Sequence, residues 1–204
     1  MFKIAVFVSG RGSNLKAIIN SIPDQLQNVE VKAVVSDKEE CPALEYAAGL
    51  NIPTFTISNK LKKLTDYSEL KEKFKLFGVQ LIVLAGFLKK IPDEFIDGFE
   101  NKIINIHPAL LPSFGGKGMY GMNVHKAVFD KSCQVSGPTV HFVDKIYDNG
   151  KIIAQKTVDI SDVKSPEEIA EKVLKLEHFL LPFVIKKISE NKLIIKNNRV
   201  YLPG

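Results

Sequence analysis

The sequence predicts an α/β protein with a Rossmann-like, doubly wound and mostly parallel sheet, followed by a C-terminal antiparallel hairpin and a long helix. Three observations support this prediction. Short Val- and Ile-rich runs alternate with segments of helical periodicity through the first hundred residues. Those runs are almost continuously apolar, which is typical of strands buried on both faces of a parallel sheet. Near the end of the chain, one helical pattern continues over residues 165–190.

The first half contains five predicted strands separated by predicted helices. Helical spacing in SNLKAIINSI, CPALEYAAGL and DYSELKEKFKLF indicates the helices, and Gly49 followed by Pro53 signals a helix end and a strand entry. Such alternation favours a parallel sheet wound in both directions. The predicted strands are residues 3–9, 29–36, 53–57, 79–85 and 102–106.

The pattern changes after residue 110. A glycine-rich loop, SFGGKGMYG at 113–121, precedes a short predicted helix, Met122–Lys131. Two long strands, 135–144 and 151–160, are then predicted to pair around the turn signal Asn149–Gly150.

The long last helix has a clear predicted start. Ser165 is the expected N-cap, Pro166 takes the first helical position and Glu168 completes a capping box. A short lysine-rich tail follows. We expect a single domain over residues 1–204, because no repeat or linker interrupts the chain.

Composition excludes several classes of protein. The hydrophobic fraction of 45% and charged fraction of 25% are ordinary for a soluble domain, and no apolar run is long enough to span a membrane. The N-terminal apolar run ends in a glycine turn, so we interpret it as a strand rather than a signal peptide. Cys41 and Cys133 lie far apart outside any Cys/His cluster, which predicts neither a zinc site nor a disulfide and favours the cytoplasm. The lysines behind the net charge of +5 are dispersed, which favours a small anionic substrate over nucleic acid.

The first candidate site is SGRGSN, Ser9–Asn14, between a predicted strand and helix. In doubly wound sheets, ligands bind beyond the carboxyl ends of the strands. Gly10 and Gly12 let the backbone approach a ligand, and the amides of Ser13 and Asn14 would open a helix that favours an anion. The third glycine of a dinucleotide fingerprint and the lysine of a Walker motif are absent. The segment therefore predicts a site for a single phosphate, and the alternative is a turn without a ligand.

The second candidate site is LAGFLKKI, Leu84–Ile91. Gly86 follows a predicted buried strand, and Phe87, Leu88 and Ile91 would line an apolar slot. The same pattern is equally typical of core residues at the start of a helix.

The third candidate site is NIHPALLP together with the hairpin. Pro108 keeps His107 out of the helical conformation, and the two-residue strand period turns Asn105 to the same side. An amide and an imidazole that converge can stabilise an oxyanion developing at a carbonyl or formyl carbon. An aspartate of the hairpin, Asp144 or Asp148, could orient the imidazole or collect a proton from an attacking amine.

Four motifs in this order, SGRGSN, LAGFLKKI, NIHPALLP and VHFVDKIYDNGKIIAQ, resemble the phosphoribosylglycinamide formyltransferases of the folate-dependent formyltransferase family over nearly the whole chain. The resemblance implies transfer of a formyl group from 10-formyltetrahydrofolate to the amine of 5-phosphoribosylglycinamide in purine biosynthesis. It implies no metal, a monomer or homodimer, a phosphate-binding half at 1–100 and a catalytic, folate-binding half at 101–204. Formyltetrahydrofolate deformylase, and a sugar-phosphate-binding module without catalysis, are the alternatives.

The resemblance also implies roles for individual residues. The catalytic residues would be Asn105, His107 and Asp148, because DNGKIIAQ matches the family motif around its aspartate. The substrate phosphate would bind Gly12, Ser13 and Asn14, and the ribose would bind Glu177. The folate would contact Leu88, Lys89, Lys90, Ile91, Asn105, Val143, Asp144 and Lys63.

The loop at 113–121 departs from the shorter loop of many family members, and Ser113 replaces their common basic residue. We expect this loop to be flexible enough to close over substrate. His125 aligns with a histidine near the active site of other members, and its role is left open.

Overall fold

The computed structural model describes residues 1–57 and 66–203, so the predicted folate contact Lys63 lies outside the described residues. The chain divides into two compact units, Met1–Ile104 and Asn105–Gly204. One strand, β5 (Ile103–His107), crosses the boundary between them. Each unit contains several strands and helices of its own.

The first unit alternates strands and helices as predicted. Its strand order is β3-β2-β1-β4-β5, and the pairs β1–β2, β1–β4 and β2–β3 are parallel. The order reverses between β1 and β4, which is the point where doubly wound sheets bind ligands. The elements are β1 (Phe2–Val8), α1 (Ser13–Ser21), β2 (Val29–Ser36), α2 (Pro42–Gly49), β3 (Thr54–Thr56), α3 (Tyr67–Phe77), β4 (Leu81–Leu84) and α4 (Asp93–Asp97).

Aromatic side chains form the centre of this unit. The ring of Phe7 on β1 packs edge-on against Phe74 of α3 and Phe87 after β4, with centroids 6.0 and 5.3 Å apart, and Phe95 of α4 lies 6.3 Å away. Burying one such side chain stabilises a fold by about 1.5–3 kcal/mol. Phe87 therefore belongs to the core and does not line an open slot, and it fixes the backbone just beyond β4.

The second unit has a shorter sheet and two small hairpins. Its strand order is β5-β7-β8, with β7 and β8 antiparallel, and separate two-stranded sheets pair β6 with β9 and β10 with β11. Helix α5 packs against α6 through a core that includes Val124, Val128, Ile169 and Val173. The elements are α5 (Met122–Asp130), β6 (Val135–Ser136), β7 (Thr139–Phe142), β8 (Ile152–Gln155), β9 (Val158–Asp159), α6 (Pro166–Ser189), β10 (Ile194–Lys196) and β11 (Arg199–Tyr201).

The prediction of two long, uninterrupted hairpin strands is wrong, because each breaks in two. At Gly137, with φ +150°, a Cβ atom would lie only 1.8 Å from the carbonyl oxygen of Lys156. Pro138, which follows, has no N–H with which to continue the ladder. The close crossing of the two backbones therefore separates the β6–β9 pair from the β7–β8 pair.

The chain after α6 also differs from the expected simple tail. It forms the hairpin of β10 and β11, joined by Asn197 and Asn198, whose φ angles are +50° and +61°. Two consecutive positive φ angles are the requirement of a type I′ turn, and asparagine accepts them more readily than most residues.

Helix α6 begins where the sequence predicts. The N–H of Glu168 donates to Ser165 Oγ at 3.3 Å, and Pro166 is the first helical residue. The Glu168 carboxylate accepts from the N–H of Lys164 at 2.9 Å, one residue earlier than a regular capping box requires. Among the helices of residues 1–57 and 66–203, none is long and apolar enough to cross a membrane.

Candidate active site

The ends of β1 and β4 are joined directly by two hydrogen bonds. The N–H of Ser9 donates to the carbonyl of Gly86 at 3.1 Å, and Ser9 Oγ accepts from the N–H of Leu88 at 2.9 Å. Ser9 is buried, so these bonds lie away from solvent. The SGRGSN and LAGFLKKI segments, predicted separately, are therefore neighbours at the point where the strand order reverses.

The loop after β1 is held against helix α2. The carbonyl of Gly10 accepts from the N–H of Ala43 at 3.3 Å and from the thiol of Cys41 at 3.2 Å. Because the C=O and N–H of a trans peptide point in opposite directions, this anchoring turns the amide of Arg11 away from α2. Gly12 adopts φ +73°, and a Cβ there would lie 2.6 Å from the Cβ of Ala43.

Gly12 is also the N-cap of α1, and a glycine has no side chain with which to accept from the first helical amides. The backbone amides of Ser13 and Asn14 therefore begin the helix, where the helix dipole favours negative charge. Asn14 is buried and Ser13 is half-buried. This geometry fits the single-phosphate interpretation of the sequence.

The segment after β4 divides into buried and exposed residues. Ile91 is buried, as Phe87 is, whereas Leu88, Lys89 and Lys90 are exposed. The ammonium of Lys90 pairs with the Asp93 carboxylate at 2.9 Å. Of the predicted folate contacts here, the structure leaves Leu88, Lys89 and Lys90 accessible and places Ile91 in the core.

His107 lies at the end of β5 and is 3% exposed. Its Nε2 atom lies 2.8 Å from the carbonyl oxygen of Phe114. A carbonyl can only accept, so Nε2 carries a proton. The other ring nitrogen, Nδ1, lies 3.6 Å from Asp148 Oδ2. Nδ1 is therefore the ring nitrogen that faces the aspartate.

The two hairpin aspartates have different surroundings. Asp148 Oδ2 accepts from the N–H of Gly116 at 2.8 Å, and the side chain faces His107. Asp144 instead accepts from the N–H of Ile146 at 2.8 Å and from the amide of Asn149 at 3.2 Å, which shapes the turn. The geometry favours Asp148 over Asp144 as the partner of the imidazole.

Asn105 contacts a residue that the sequence reasoning did not single out. Its Nδ2 atom lies 3.1 Å from Nε2 of His141, on β7, and Nδ1 of His141 lies 2.7 Å from the Phe142 carbonyl. Burial lowers the pKa of His141, although the Phe142 carbonyl and the Asp148 carboxylate oppose that shift. A histidine in the short buried strand TVHF was the available signal, but only the pairing of strands shows what it faces.

His125, whose role the sequence left open, is buried on α5. Burial, together with a smaller contribution from the nearby His107, lowers the pKa of His125 to about 4, so the ring is neutral at pH 7. Its Nδ1 atom has no hydrogen-bond partner within the described part of the chain.

The remaining predicted contacts lie on the hairpin and on α6. Val143 is half-buried and follows β7 directly. Glu177 is 8% exposed on α6, although its neighbours in sequence suggest a surface position. Buried glutamates are rare and are usually paired, so Glu177 is not an ordinary helix-surface residue.

The model of the family described as "Formyl transferase" matches residues 2–185. The chain belongs to the formyl transferase family. The phosphoribosylglycinamide formyltransferase of Bacillus subtilis is 37% identical, over 92% of this chain and 95% of its own length. The chloroplastic enzyme of that name from Arabidopsis thaliana is 43% identical over 94% of this chain. The chain spans about two thirds of the length of the chloroplastic relatives, 66% and 65%.

Solved structures support the same family. A phosphoribosylglycinamide formyltransferase from Anaplasma phagocytophilum matches with a TM-score of 0.89 and 32% identity, covering 100% of this chain and 94% of that one. Glycinamide ribonucleotide transformylase 1 from Symbiobacterium toebii matches with a TM-score of 0.88 and 30% identity, covering 100% and 95%. The predicted fold and the resemblance to phosphoribosylglycinamide formyltransferases are both confirmed.

Proposed function

We propose that this chain transfers a formyl group from 10-formyltetrahydrofolate to the amine of 5-phosphoribosylglycinamide, a step of purine biosynthesis. The observation that carries the proposal is the pairing of His107 with Asp148 at the end of β5. A histidine whose Nδ1 faces a carboxylate, in a family of formyl transferases, provides both the proton donor and the proton acceptor that the reaction needs.

The amine nitrogen of the substrate attacks the formyl carbon, and the carbonyl electron pair moves to the formyl oxygen. Asn105, through an amide N–H, and His107, through Nδ1–H, stabilise this oxyanion. Asp148 collects the proton that the amine loses. The oxyanion then reforms the carbonyl as the bond from the formyl carbon to the folate nitrogen breaks, and that nitrogen takes the proton from Asp148 as tetrahydrofolate leaves.

Backbone contacts prepare the two ionisable groups for these steps. The Phe114 carbonyl accepts from Nε2–H of His107, so Nδ1 is the ring nitrogen that faces Asp148. The Asp148 carboxylate stabilises the positive charge of the ring when Nδ1 is protonated. The Gly116 amide holds Asp148 Oδ2 in place.

The substrates need binding groups beyond the reacting atoms. The amides of Gly12, Ser13 and Asn14 are assigned to the phosphate because a helix N-terminus favours an anion. Glu177 is assigned to the ribose hydroxyls. The folate is assigned to the segment after β4, to Asn105 and to the hairpin, and the set is Leu88, Lys89, Lys90, Ile91, Val143, Asp144 and, from the resemblance alone, Lys63.

The test is an assay of formylated product with purified protein, 5-phosphoribosylglycinamide and 10-formyltetrahydrofolate. The wild type should form the product, and His107→Ala should lower kcat by about 100-fold or more. Asp148→Asn should also lower kcat, whereas Asp159→Asn, an exposed carboxylate of the same unit, should leave it unchanged.

Other outcomes would identify other functions. Release of formate without formylated product would indicate a deformylase, in which water replaces the amine. Binding of 5-phosphoribosylglycinamide without turnover would indicate a binding module. A His107→Ala variant as active as the wild type would overturn the proposed mechanism.

A further inference from the structure

We propose that His141 is a positioning residue: its unprotonated Nε2 accepts from the Asn105 side chain and so presents the second amide N–H of Asn105 to the formyl oxygen. The inference rests on the proposed function, because it assigns a task to Asn105 in that reaction. It adds a residue that neither the motifs nor their family resemblance assigned to the site.

The first argument is the protonation of the ring. Nδ1 of His141 lies 2.7 Å from the Phe142 carbonyl oxygen, which can only accept. Nδ1 is therefore protonated, and in the neutral ring Nε2 carries a lone pair. His141 is 2% exposed, and burial lowers its pKa, so the neutral form persists at pH 7.

The second argument is the orientation of the amide. The two ends of an asparagine side chain have almost the same shape, so packing alone does not decide which end points where. The lone pair on His141 Nε2, 3.1 Å from Asn105 Nδ2, decides it. A flipped amide would place its oxygen against that lone pair. With one N–H on His141, the second N–H of Asn105 is directed elsewhere and serves the reaction.

The third argument is the position of Asp148. Its Oδ1 lies 3.7 Å from His141 Nε2, while its Oδ2 lies 3.6 Å from His107 Nδ1. A charged His141 would pair with Asp148 and lose its ability to accept from Asn105. The neutral His141 ring instead accepts from the Asn105 amide and leaves the Asp148 carboxylate to His107.

Two amide variants separate the hydrogen bonds of the ring. In His141→Gln the longer side chain can place its oxygen near the former Nε2 and accept from Asn105. In His141→Asn the shorter side chain can donate to the Phe142 carbonyl but does not extend to Asn105. We expect His141→Asn to lower kcat by roughly 10- to 100-fold, with KM for both substrates within about twofold, and His141→Gln to restore kcat to within about fivefold of the wild type. Equal losses in the two variants would overturn the proposal, because a merely structural role does not distinguish them.

A double-mutant cycle tests whether His141 acts through Asn105. Asn105→Ala should lower kcat by itself, and adding His141→Asn should lower it no further, because the group that His141 positions is already absent. Losses in kcat that multiply independently would contradict the inference. Thermal unfolding of each variant checks that it is folded.

A measurement on the wild type covers the case in which the variants do not fold. Nitrogen-15 NMR of the histidine rings at pH 7 should show His141 protonated at Nδ1 and unprotonated at Nε2. A proton on Nε2 would overturn the proposal. Absence of formyl transfer by the wild type would overturn the proposed function, and the NMR result would still decide whether His141 accepts from Asn105.

Discussion

Two glycine-rich loops, residues 9–14 after β1 and residues 113–121 after β5, look alike in the sequence but differ in physical terms. In the first, Gly12 has the methyl group of Ala43 so close that a Cβ would lie 2.6 Å from it. In the second, Gly116 and Gly118 have open space around them but adopt φ angles of +100° and +89°. Gly12 is needed both for room and for backbone conformation, whereas Gly116 and Gly118 are needed for backbone conformation alone.

The contacts of the loops differ in the same way. The first loop is anchored by α2, through the Gly10 carbonyl, and its amides at the start of α1 are assigned to a ligand only in the proposed function. The second loop uses its own backbone to contact the proposed catalytic groups, through the Phe114 carbonyl and the Gly116 amide. Under the proposed function, one glycine-rich segment would bind the substrate and the other would hold the residues that react with it.

The largest effect is expected at Gly12. Gly12→Ala combines a left-handed conformation with a steric clash, each of which costs roughly 1–3 kcal/mol, so the free energy of unfolding in urea should fall by roughly 2–6 kcal/mol. KM for the phosphorylated substrate should rise. Gly10→Ala is the matched control, because no atom lies within 4 Å of its Cβ and its φ is not positive. If the two variants were equally stable, neither lack of room nor backbone conformation would require glycine at position 12.

Gly115 is the one position of the second loop where space is also limiting. A Cβ there would lie 2.6 Å from Leu111 Cδ2 and 3.1 Å from Asp148 Cβ. Gly115→Ala should therefore destabilise the fold by about 1–3 kcal/mol and displace Asp148, so that kcat falls on the order of 10-fold. Urea unfolding and steady-state kinetics measure the two effects. A lower stability with an unchanged kcat would show that Asp148 tolerates the shift.

Gly116→Ala and Gly118→Ala form a matched pair for the second loop. Both place an alanine at a similar positive φ in open space, so each should lower the free energy of unfolding by about 1–3 kcal/mol. Only Gly116 donates its N–H to Asp148, so kcat should fall several-fold more in Gly116→Ala. If Gly118→Ala reduced kcat as much, the loop would act by its general shape and not through that hydrogen bond.

The smallest effect concerns helix α5, which follows the second loop. His125 is neutral when folded, with a pKa of about 4, whereas the unfolded chain takes up a proton near pH 6.5. As pH falls from 6.5 to 4, the unfolded state binds more protons, so the free energy of unfolding should decrease, by at most about 1.4 kcal/mol per pH unit for one proton. His125→Leu should flatten this dependence in urea titrations, with both proteins compared at pH 8 as the reference. Parallel pH profiles of the two proteins would show that protonation of His125 does not cause the pH dependence of the free energy of unfolding.

Much of the fold could be predicted because its signals are local. The apolar run of β2 and the cap of α6 are written in consecutive residues, and the structure places Val29–Ser36 and Ser165 as expected. The break between β6 and β7 could not be predicted, because it depends on the approach of Lys156 to Gly137 from another strand. Helix α4, with five residues, is too short to show a periodicity.

In the candidate site, too, local features could be predicted and contacts between distant residues could not. Residue identities at 105, 107 and 148 are visible in the sequence, and the structure brings these side chains into one group. The contacts that fix their protonation and orientation come from His141 on β7 and from the Phe114 carbonyl. Those contacts depend on which strands pair and on how a loop folds, so no local pattern shows them.

The Phe114 carbonyl has an evolutionary consequence. Phe114 adopts φ +55°, and its ring packs against the core between α5 and α6. Residue 114 contacts His107 through its main-chain oxygen alone, so the side chain at that position does not reveal the contact. Selection on this contact therefore acts on backbone conformation, and asparagine or glycine, which accept a positive φ, would keep the contact with His107 but lose the packing of the Phe114 ring.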